Sequence, residues 1–371
     1  MGSCRWLALA FLLILAGCGS STAVQTQAVT PAANPGTGTE SLSGYMVSAW
    51  FPDYDLNRAA LSLNAGRGIL TEVNPVWFIL NSDGSIKMLP QANEAALIAT
   101  ARDNGMKVIP TVMNFGAGNF NAAPVVKILS DATLRMNHAR SLAQLVKDYN
   151  YDGIEIDYEG LPSTVRSSFT ALVRDVRTEL PDGKLLSLDV YSKTTGTESW
   201  NGPGAECWEE LLPLVDRFKI MIYDYSWSTG KPGPIAPLNW TRNVLKYAVG
   251  VAAQVNVTPK KIMVGMPFYG WDWPAGPPAQ EAVYQSMIAL KKSLPVGSFS
   301  EERDPDSGEI VLKYLKNDIA HIAYYQDAQT LSGRLAIIRE SYPQVGGISF
   351  WRLGGEDPNS WPTIQNDLGY K

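Results

Sequence analysis

Three acidic side chains alternate along one short segment of the chain, at positions 155, 157 and 159. If the segment is a β-strand, alternate residues lie on one face, so Glu155, Asp157 and Glu159 share a face opposite apolar neighbours. Carboxylates a few ångströms apart raise the pKa of at least one member. A carboxyl group kept protonated in this way can donate to a leaving-group oxygen. The segment therefore predicts general acid chemistry, with Glu159 at the strand end as the acid.

Two other interpretations of the acidic row remain open at this point. Hard metal ions prefer oxygen ligands, so the row could hold a cation. It could also be an exposed edge strand with solvated acids. The two histidines, His138 and His321, lie far apart and have no metal-ligand spacing. The sequence contains no serine-hydrolase, zinc-protease or nucleotide-binding motif, and we expect neither a metal nor a cofactor.

The acidic segment is the fourth of eight apolar segments that alternate with helical patterns. The strand candidates are residues 45–50, 73–80, 107–113, 152–159, 185–191, 217–223, 261–266 and 346–351. The clearest helical patterns cover residues 91–103, 131–149, 162–180, 240–255 and 327–342. This alternation predicts parallel strands with right-handed crossovers, hence an α/β fold of the (β/α)8 TIM barrel type. A doubly wound open sheet is the alternative.

One segment interrupts the alternation between the seventh and eighth strands. Residues 299–325 are rich in strand-forming residues, and the Asp-Pro-Asp-Ser-Gly run at 304–308 predicts a hairpin turn. We therefore expect a small β-rich insertion at about 284–325, within a catalytic barrel that spans 43–371.

The N-terminal residues have the composition of a secretion signal and a tether. Arg5 precedes an apolar run, and residues 1–17 are predicted to be a signal peptide. The Leu-Ala-Gly-Cys sequence at 15–18 resembles a bacterial lipobox, which would make Cys18 the lipid attachment site; an ordinary signal peptide is the alternative. Residues 18–42 are predicted to be a disordered tether. We expect a monomer at the bacterial cell envelope, lipid-anchored outside the cytoplasm, or secreted.

Charge and cysteine content exclude other classes of protein. The net charge is −5, and no basic patch suited to nucleic acid is present. After removal of the signal, Cys18 and Cys207 remain, and with Cys18 lipidated only Cys207 is a free thiol. A disulfide framework is therefore not expected.

The acidic segment resembles the signature of glycoside hydrolase family 18, the chitinase family, usually written DGxDxDxE. Asp152, Gly153, Asp157 and Glu159 match it, and Glu155 departs from the more usual Asp. The Met-Ile-Tyr-Asp run at 221–224 resembles the family's Met-x-Tyr-Asp. The sequences at 266–270 and 348–351 resemble the ends of its seventh and eighth strands. Residues 73–77 and 108–112 are similar to a branch of spore-cortex and peptidoglycan N-acetylglucosaminidases.

The resemblance implies a retaining glycosidase of β-linked N-acetylglucosamine polymers, chitin or peptidoglycan glycan, whose substrate supplies its own 2-acetamido oxygen as nucleophile. Glu159 would be the acid and then the base, and Asp157 and Tyr223 would hold the acetamido group. Asp152 and Glu155 would tune Asp157 from below. The expected substrate-binding residues are Trp351, Met221, Asp224, Tyr45, Trp77, Asn114, Tyr191 and Tyr269.

The family resemblance carries two further expectations. The peptide bond between Trp351 and Arg352 is expected to be cis. The alternative function is a non-hydrolytic, lectin-like chitin- or peptidoglycan-binding protein of the same fold; such proteins typically lose the acid that Glu159 provides here.

Overall fold

The computed structural model describes residues 44–81, 83–90, 95–116, 118–275 and 278–369. The chain divides into two units, Met1–Ser41 and Leu42–Lys371, and the described residues all belong to the second. The predicted signal peptide and Cys18 lie outside the described residues, as does the predicted tether. Across the described ranges, no helix is long and apolar enough to span a bilayer.

Eight parallel strands close into a barrel, which confirms the predicted fold. The first strand pairs with both the second and the eighth, and the others pair in chain order. The strands are Met46–Pro52, Glu72–Leu80, Lys107–Val108 with Thr111–Met113, Gly153–Asp157, Leu185–Tyr191, Arg217–Met221, Ile262–Pro267 and Gly347–Trp351. Because helices cover the outside and side chains fill the inside, each strand is buried on both faces and is therefore rich in apolar residues.

Helices surround the barrel, and one of them, Tyr284–Ser293, packs against additional strands outside it. They are Leu56–Ala65, Ala95–Asp103, Ala122–Leu129, Ala132–Asp148, Arg166–Glu179, Trp208–Leu211, Leu238–Gln254, Tyr284–Ser293, Ala328–Ser341 and Ser360–Leu368. Asp131 caps one of them, because its carboxylate accepts the N–H groups of Thr133 and Leu134. The helix Arg166–Glu179 is preceded by a 3-10 turn, Ser163–Val165, which has no side-chain cap.

The insertion is a five-stranded antiparallel sheet that starts directly after the seventh barrel strand. In sheet order its strands are Gln280–Ala282, Gly270–Pro274, Ile319–Tyr325, Ile310–Lys316 and Phe299–Arg303. It begins at Gly270, before the expected start near 284, because the aromatic segment after the seventh strand pairs into this sheet instead of forming a loop. Glu309 anchors the sheet: it is buried, pairs with Arg334 at 2.7 Å, and accepts the N–H groups of Ile235 and Ala236.

Candidate active site

The acidic strand, Gly153–Asp157, lies between the third and fifth barrel strands. Gly153 has no room for a side chain, since a Cβ there would lie 2.2 Å from the carbonyl oxygen of Leu185. The close approach of the two strands explains why the motif has glycine at this position. Ile154 and Ile156 are completely buried in the hydrophobic core, and the carboxylates of the alternate positions lie inside the barrel.

Glu155 lies at the bottom of this row and is completely buried. Its two oxygens are contacted by five donors, namely Trp50 Nε1 (2.7 Å), Thr111 Oγ1 (2.8 Å), Ser187 Oγ (2.6 Å), Asn74 Nδ2 (3.1 Å) and Lys219 Nζ (2.5 Å). A carboxylate offers about four lone-pair sites, so its accepting capacity is filled. Glu155 is therefore held in place from several sides within the barrel interior.

Glu155, Glu72, Arg217 and Lys219 form a group that we name the floor cluster. Lys219 is completely buried and lies 3.2 Å from Glu72, and Arg217 lies 3.3 Å from the same carboxylate. Burial alone would lower the pKa of Lys219, but Glu155, Glu72 and Asp189 together raise it above its ordinary value. With two acids and two bases, the floor cluster carries no net charge.

Asp157 and Asp189 lie above the floor cluster, on neighbouring strands. Glu155 pairs with Ser187 in the strand register, so the next inward positions are Asp157 and Asp189. Both side chains are buried, and Oδ1 of each has no hydrogen-bond partner among the described residues. Burial, followed by the charges of Glu159 and Glu155, raises the pKa of Asp157 well above its ordinary value.

Glu159 follows the strand end and is held in place through its backbone. Its N–H donates to Oδ1 of Asn114, and its carbonyl accepts from Nδ2 of Asn114, both at 2.8 Å. Burial raises the pKa of Glu159 to about 7, while a hydrogen bond from Tyr191 lowers it and the charge of Asp224 raises it. Glu159 is therefore a carboxyl group that still carries its proton in a substantial fraction of molecules at neutral pH.

Tyr223 faces the acids from the loop after the sixth strand. Its ring meets the rings of Trp50 and Tyr269 edge-on, with centroids at 6.5 and 6.0 Å. The charges of Asp189, Asp157 and Glu159 add to burial in raising the pKa of its hydroxyl well above the ordinary value. The Tyr223 hydroxyl is thus a permanent hydrogen-bond donor beside the acids.

Asp224 adopts a left-handed backbone conformation, with φ of 56°. Its carboxylate accepts hydrogen bonds from the Tyr269 hydroxyl (2.5 Å) and from Trp271 Nε1 (2.9 Å). Tyr269 directly precedes the strand Gly270–Pro274 of the inserted sheet, and Trp271 lies in it. This sheet therefore fixes the orientation of Asp224 beside Glu159.

Trp351 ends the eighth strand and is partly exposed, with its ring centroid 6.0 Å from that of Trp50. The bond between Trp351 and Arg352 is cis, as expected. Arg352 pairs with Asp55 at 2.7 Å and with Glu281 at 2.8 Å. These pairs connect the loop after the first strand to the inserted sheet. Met221 is partly buried at the end of the sixth strand's inward row.

Two of the expected substrate-binding residues lie away from the acids. Tyr45 precedes the first strand, and its hydroxyl donates to the carbonyls of Tyr342 and Pro343 at the opposite end of the barrel. Trp77 is completely buried and packs against Phe51, with centroids at 5.5 Å. The alternation of strand side chains explains why Trp77 is buried away from the acids, because it lies on the face of the second strand that packs against the helices. Neither residue can contact a ligand at Glu159.

Asn114 and Asp152 have contacts that differ from those expected from the sequence. Asn114 is buried and its amide group bonds the backbone of Glu159 and Asn121, which positions the acid. Asp152 does not lie beneath Asp157: its carboxylate accepts the N–H of Val108 at 2.8 Å, at the start of the strand. Asp152 is two residues from Ile154 and therefore lies on the same, outward face of the strand, as the alternation of strand side chains already indicates.

Tyr191 and Tyr269 both lie among the acids, but their hydroxyl groups are engaged by protein. Tyr191 hydrogen-bonds Glu159 and accepts the N–H of Gly160 at 3.2 Å. Tyr269 is buried and donates to Asp224. Both therefore support acidic groups of the site.

Sequence reasoning missed Asp189, Lys219 and Glu206. Strand alternation could have found the first two, because Asp189 shares parity with Tyr191, and Lys219 with Met221. Glu206 lies in the loop after the fifth strand, where no pattern points to it; its carboxylate accepts the N–H of Tyr191, and burial raises its pKa to about 8. Across the described residues, no group of three His, Cys, Asp or Glu side chains is placed to hold a metal ion.

Comparison with known proteins agrees with this geometry. The profile of glycosyl hydrolases family 18 matches residues 62–356. A cortical fragment-lytic enzyme of Bacillus cereus is 28% identical over 311 residues, which cover 81% of this chain and 69% of that protein.

Two solved structures share the fold. The spore cortex-lytic enzyme SleL of Bacillus cereus has a TM-score of 0.75 at 24% identity, covering 87% of this chain and 74% of that chain. The C-terminal domain of a putative chitinase from Desulfitobacterium hafniense also has a TM-score of 0.75, at 26% identity, covering 88% of this chain and 99% of that chain.

Proposed function

Because this chain belongs to glycosyl hydrolases family 18 and is therefore a glycosidase, we propose that it cleaves β-linked N-acetylglucosamine polymers with retention of configuration. The observation that carries the proposal is the environment of Glu159. One buried carboxyl group with a pKa of about 7 is clamped by Asn114 and lies beside a second acid, Asp157, whose Oδ1 has no hydrogen-bond partner within the described part of the chain. This arrangement suits a general acid assisted by a group that holds the substrate.

The proposed first step is a proton transfer from Glu159 to the glycosidic oxygen as the substrate's acetamido oxygen attacks the anomeric carbon. The C–O bond to the leaving sugar breaks, and a cyclic oxazolinium forms within the substrate. Asp157 Oδ1 accepts the acetamido N–H and stabilises the developing positive charge. Tyr223 donates its hydroxyl to the acetamido oxygen and orients it for attack.

In the second step the Glu159 carboxylate removes a proton from water, which attacks the anomeric carbon and reopens the ring. Two inversions at one carbon leave the configuration unchanged, so retention follows from the sequence of steps. Trp351 offers an aromatic face at the end of the eighth strand for the sugar whose bond is broken.

The polymer is proposed from the relatives and from the N-terminal segment. The cortical fragment-lytic relative favours peptidoglycan glycan, and the chitinase-like structural neighbours favour chitin. A lipid at Cys18 would keep the enzyme at the cell envelope, next to peptidoglycan. We expect a Cys18→Ser variant to move from the membrane fraction to the soluble fraction; retention in the membrane fraction would refute the anchor.

The test is parallel digestion of purified peptidoglycan and of chitin oligomers by wild type and by Glu159→Gln, with products weighed by mass spectrometry. The proposal expects products from at least one polymer with wild type and none with the variant, and the anomer released first should keep the β configuration by proton NMR. Binding of both polymers without turnover would favour the lectin-like alternative. An α product would refute the retaining mechanism.

A further inference from the structure

The charge state of Glu155 decides which group can exchange a proton with Asp157. Glu155 already accepts from five donors, including the buried ammonium group of Lys219. Protonation of Glu155 would turn one of these acceptors into a donor and leave Lys219 with only Glu72 as a close anionic partner. Glu155 is therefore a poor store for a mobile proton.

Asp189 is better placed than Glu155 to exchange a proton with Asp157. It follows the register pair of Glu155 and Ser187 by two residues, on the inward face beside Asp157. Its Oδ2 accepts only a 3.2 Å hydrogen bond from Trp50, and its Oδ1 has no partner among the described residues. Oδ1 of Asp157 is equally buried and equally without a partner across the described ranges. Two adjacent buried carboxyl groups of this kind are stable when they share one proton.

We propose that Asp189 is a positioning residue that takes the proton shared with Asp157, so that Asp157 becomes a carboxylate when the substrate's acetamido N–H arrives. The O–H bond on Asp157 breaks and an O–H bond on Asp189 forms; after product release the proton returns. This inference rests on the proposed function and deepens it, by identifying the group that supplies the charge which stabilises the oxazolinium.

The groups that face Asp189 come from several elements. They are Glu155 and Asp157 on the fourth strand, Lys219 on the sixth, Tyr223 on the loop after it, and Trp50 on the first. Glu72 acts through Lys219, and Glu206 through Asp157. Burial, then Glu155 and Asp157, raises the pKa of Asp189 well above its ordinary value, against the opposing effects of Lys219 and Trp50. The surroundings thus allow Asp189 to hold a proton.

The test compares Asp189→Asn, Asp189→Ala and Glu155→Gln in kcat and in the pH profile of kcat/KM. Asn still donates a neutral hydrogen bond to Asp157, so about a 5-fold loss in kcat is expected, whereas Ala donates nothing and should cost about 10- to 150-fold. Glu155→Gln should lose more than Asp189→Ala, because Lys219 loses its main partner. The reverse order, with Glu155→Gln mild and Asp189→Asn as damaging as Asp189→Ala, would overturn the proposal.

The pH profile separates proton sharing from a merely structural role. A carboxyl partner stabilises the Asp157 carboxylate more strongly than an amide does. In Asp189→Asn the pKa of Asp157 should therefore rise, and activity should be lost at a higher pH as the solution is acidified. If activity in Asp189→Asn is lost at the same acidic pH as in wild type, the proposal is overturned. Thermal unfolding midpoints of the three variants monitor folding.

A spectroscopic measurement on wild type is independent of turnover. In wild type with carbon-13 in the aspartate carboxyl groups, at least one carboxyl carbon should retain the chemical shift of a protonated acid at neutral pH, and this shift should change in Asp189→Asn, which removes one member of the pair. If every aspartate carboxyl is ionised at neutral pH, the proposal fails. If wild type cleaves neither polymer, the proposed function fails, while this signal still reports whether the buried pair holds a proton.

Discussion

The floor cluster and the acids above it both contain buried carboxyl groups, yet the charges around those carboxyl groups are arranged in opposite ways. In the floor cluster, Glu155 and Glu72 are matched by Lys219 and Arg217. Above it, lysine and arginine side chains of the described residues make no ion pair with Asp157, Asp189 or Glu159, and the pKa of each of the three acids is raised by burial.

The difference shows how one strand can carry both structure and chemistry. Glu155 and Asp157 are two residues apart on the same face. The first pairs with a buried lysine, whereas the second makes no ion pair with any described lysine or arginine, and its pKa is raised by burial. Whether a buried carboxyl group serves structure or chemistry is therefore decided more by the location of the nearest cation than by the carboxyl group itself.

The largest effect is expected from Glu159→Gln, which removes the proton donor and leaves both groups of charges in place. Loss of a general acid costs about 10²- to 10⁴-fold, and kcat should fall by that factor. Because a buried ionisable group is replaced by a neutral one of similar shape, the thermal unfolding midpoint should not fall. Nearly wild-type turnover would remove Glu159 from the mechanism.

Lys219→Met tests the floor cluster through stability. It leaves Glu155 without its buried cation, and removing one partner of a buried ion pair costs about 3–5 kcal/mol. Urea unfolding should report a loss of that size, with partial recovery in a Lys219→Met, Glu155→Gln double variant. A single variant as stable as wild type would show that the floor cluster is not the structural element we describe.

Asn114→Ala tests the clamp that positions Glu159. Misplacement of the acid by about 1 Å can cost up to about 100-fold, so kcat should fall within that limit while KM changes little. Asn64→Ala is a matched control, because Asn64 is exposed on the helix Leu56–Ala65 and bonds only within it. A rise in KM without a fall in kcat would favour direct substrate binding by Asn114.

Tyr191→Phe should have the smallest effect. The Tyr191 hydroxyl lowers the pKa of Glu159, so its removal should raise that pKa, and the alkaline loss of activity should move to higher pH by up to about one unit. Tyr342→Phe is the control, since its hydroxyl bonds the carbonyl of Arg242, away from the acids. A shift to lower pH would contradict the assigned hydrogen bond.

Much of the fold could be predicted from the sequence, because apolar segments in a barrel are continuous and regularly spaced. The fifth strand begins and ends at the predicted residues, Leu185–Tyr191. The insertion starts earlier than predicted because Trp271 and Trp273 pair with the strand Ile319–Tyr325, a pairing that the sequence alone does not reveal.

The site was harder to predict where roles depend on neighbours from other strands. Alternation places Glu155, Asp157 and Glu159 on one face, but it does not show that Lys219 reaches Glu155 across the barrel. Likewise, Asn114 has a side chain of the kind that binds sugars. Only the fold shows that its amide nitrogen and its amide oxygen both bond the backbone of Glu159.

The most direct test of the account is the pH dependence of kcat/KM for wild type on a chromogenic N-acetylglucosamine oligomer. Glu159 must be protonated to act, and its pKa is raised by burial to about 7. We therefore expect kcat/KM to fall as the pH rises through this value, because the acid loses its proton. A rate that stays level or increases across the same range would contradict it.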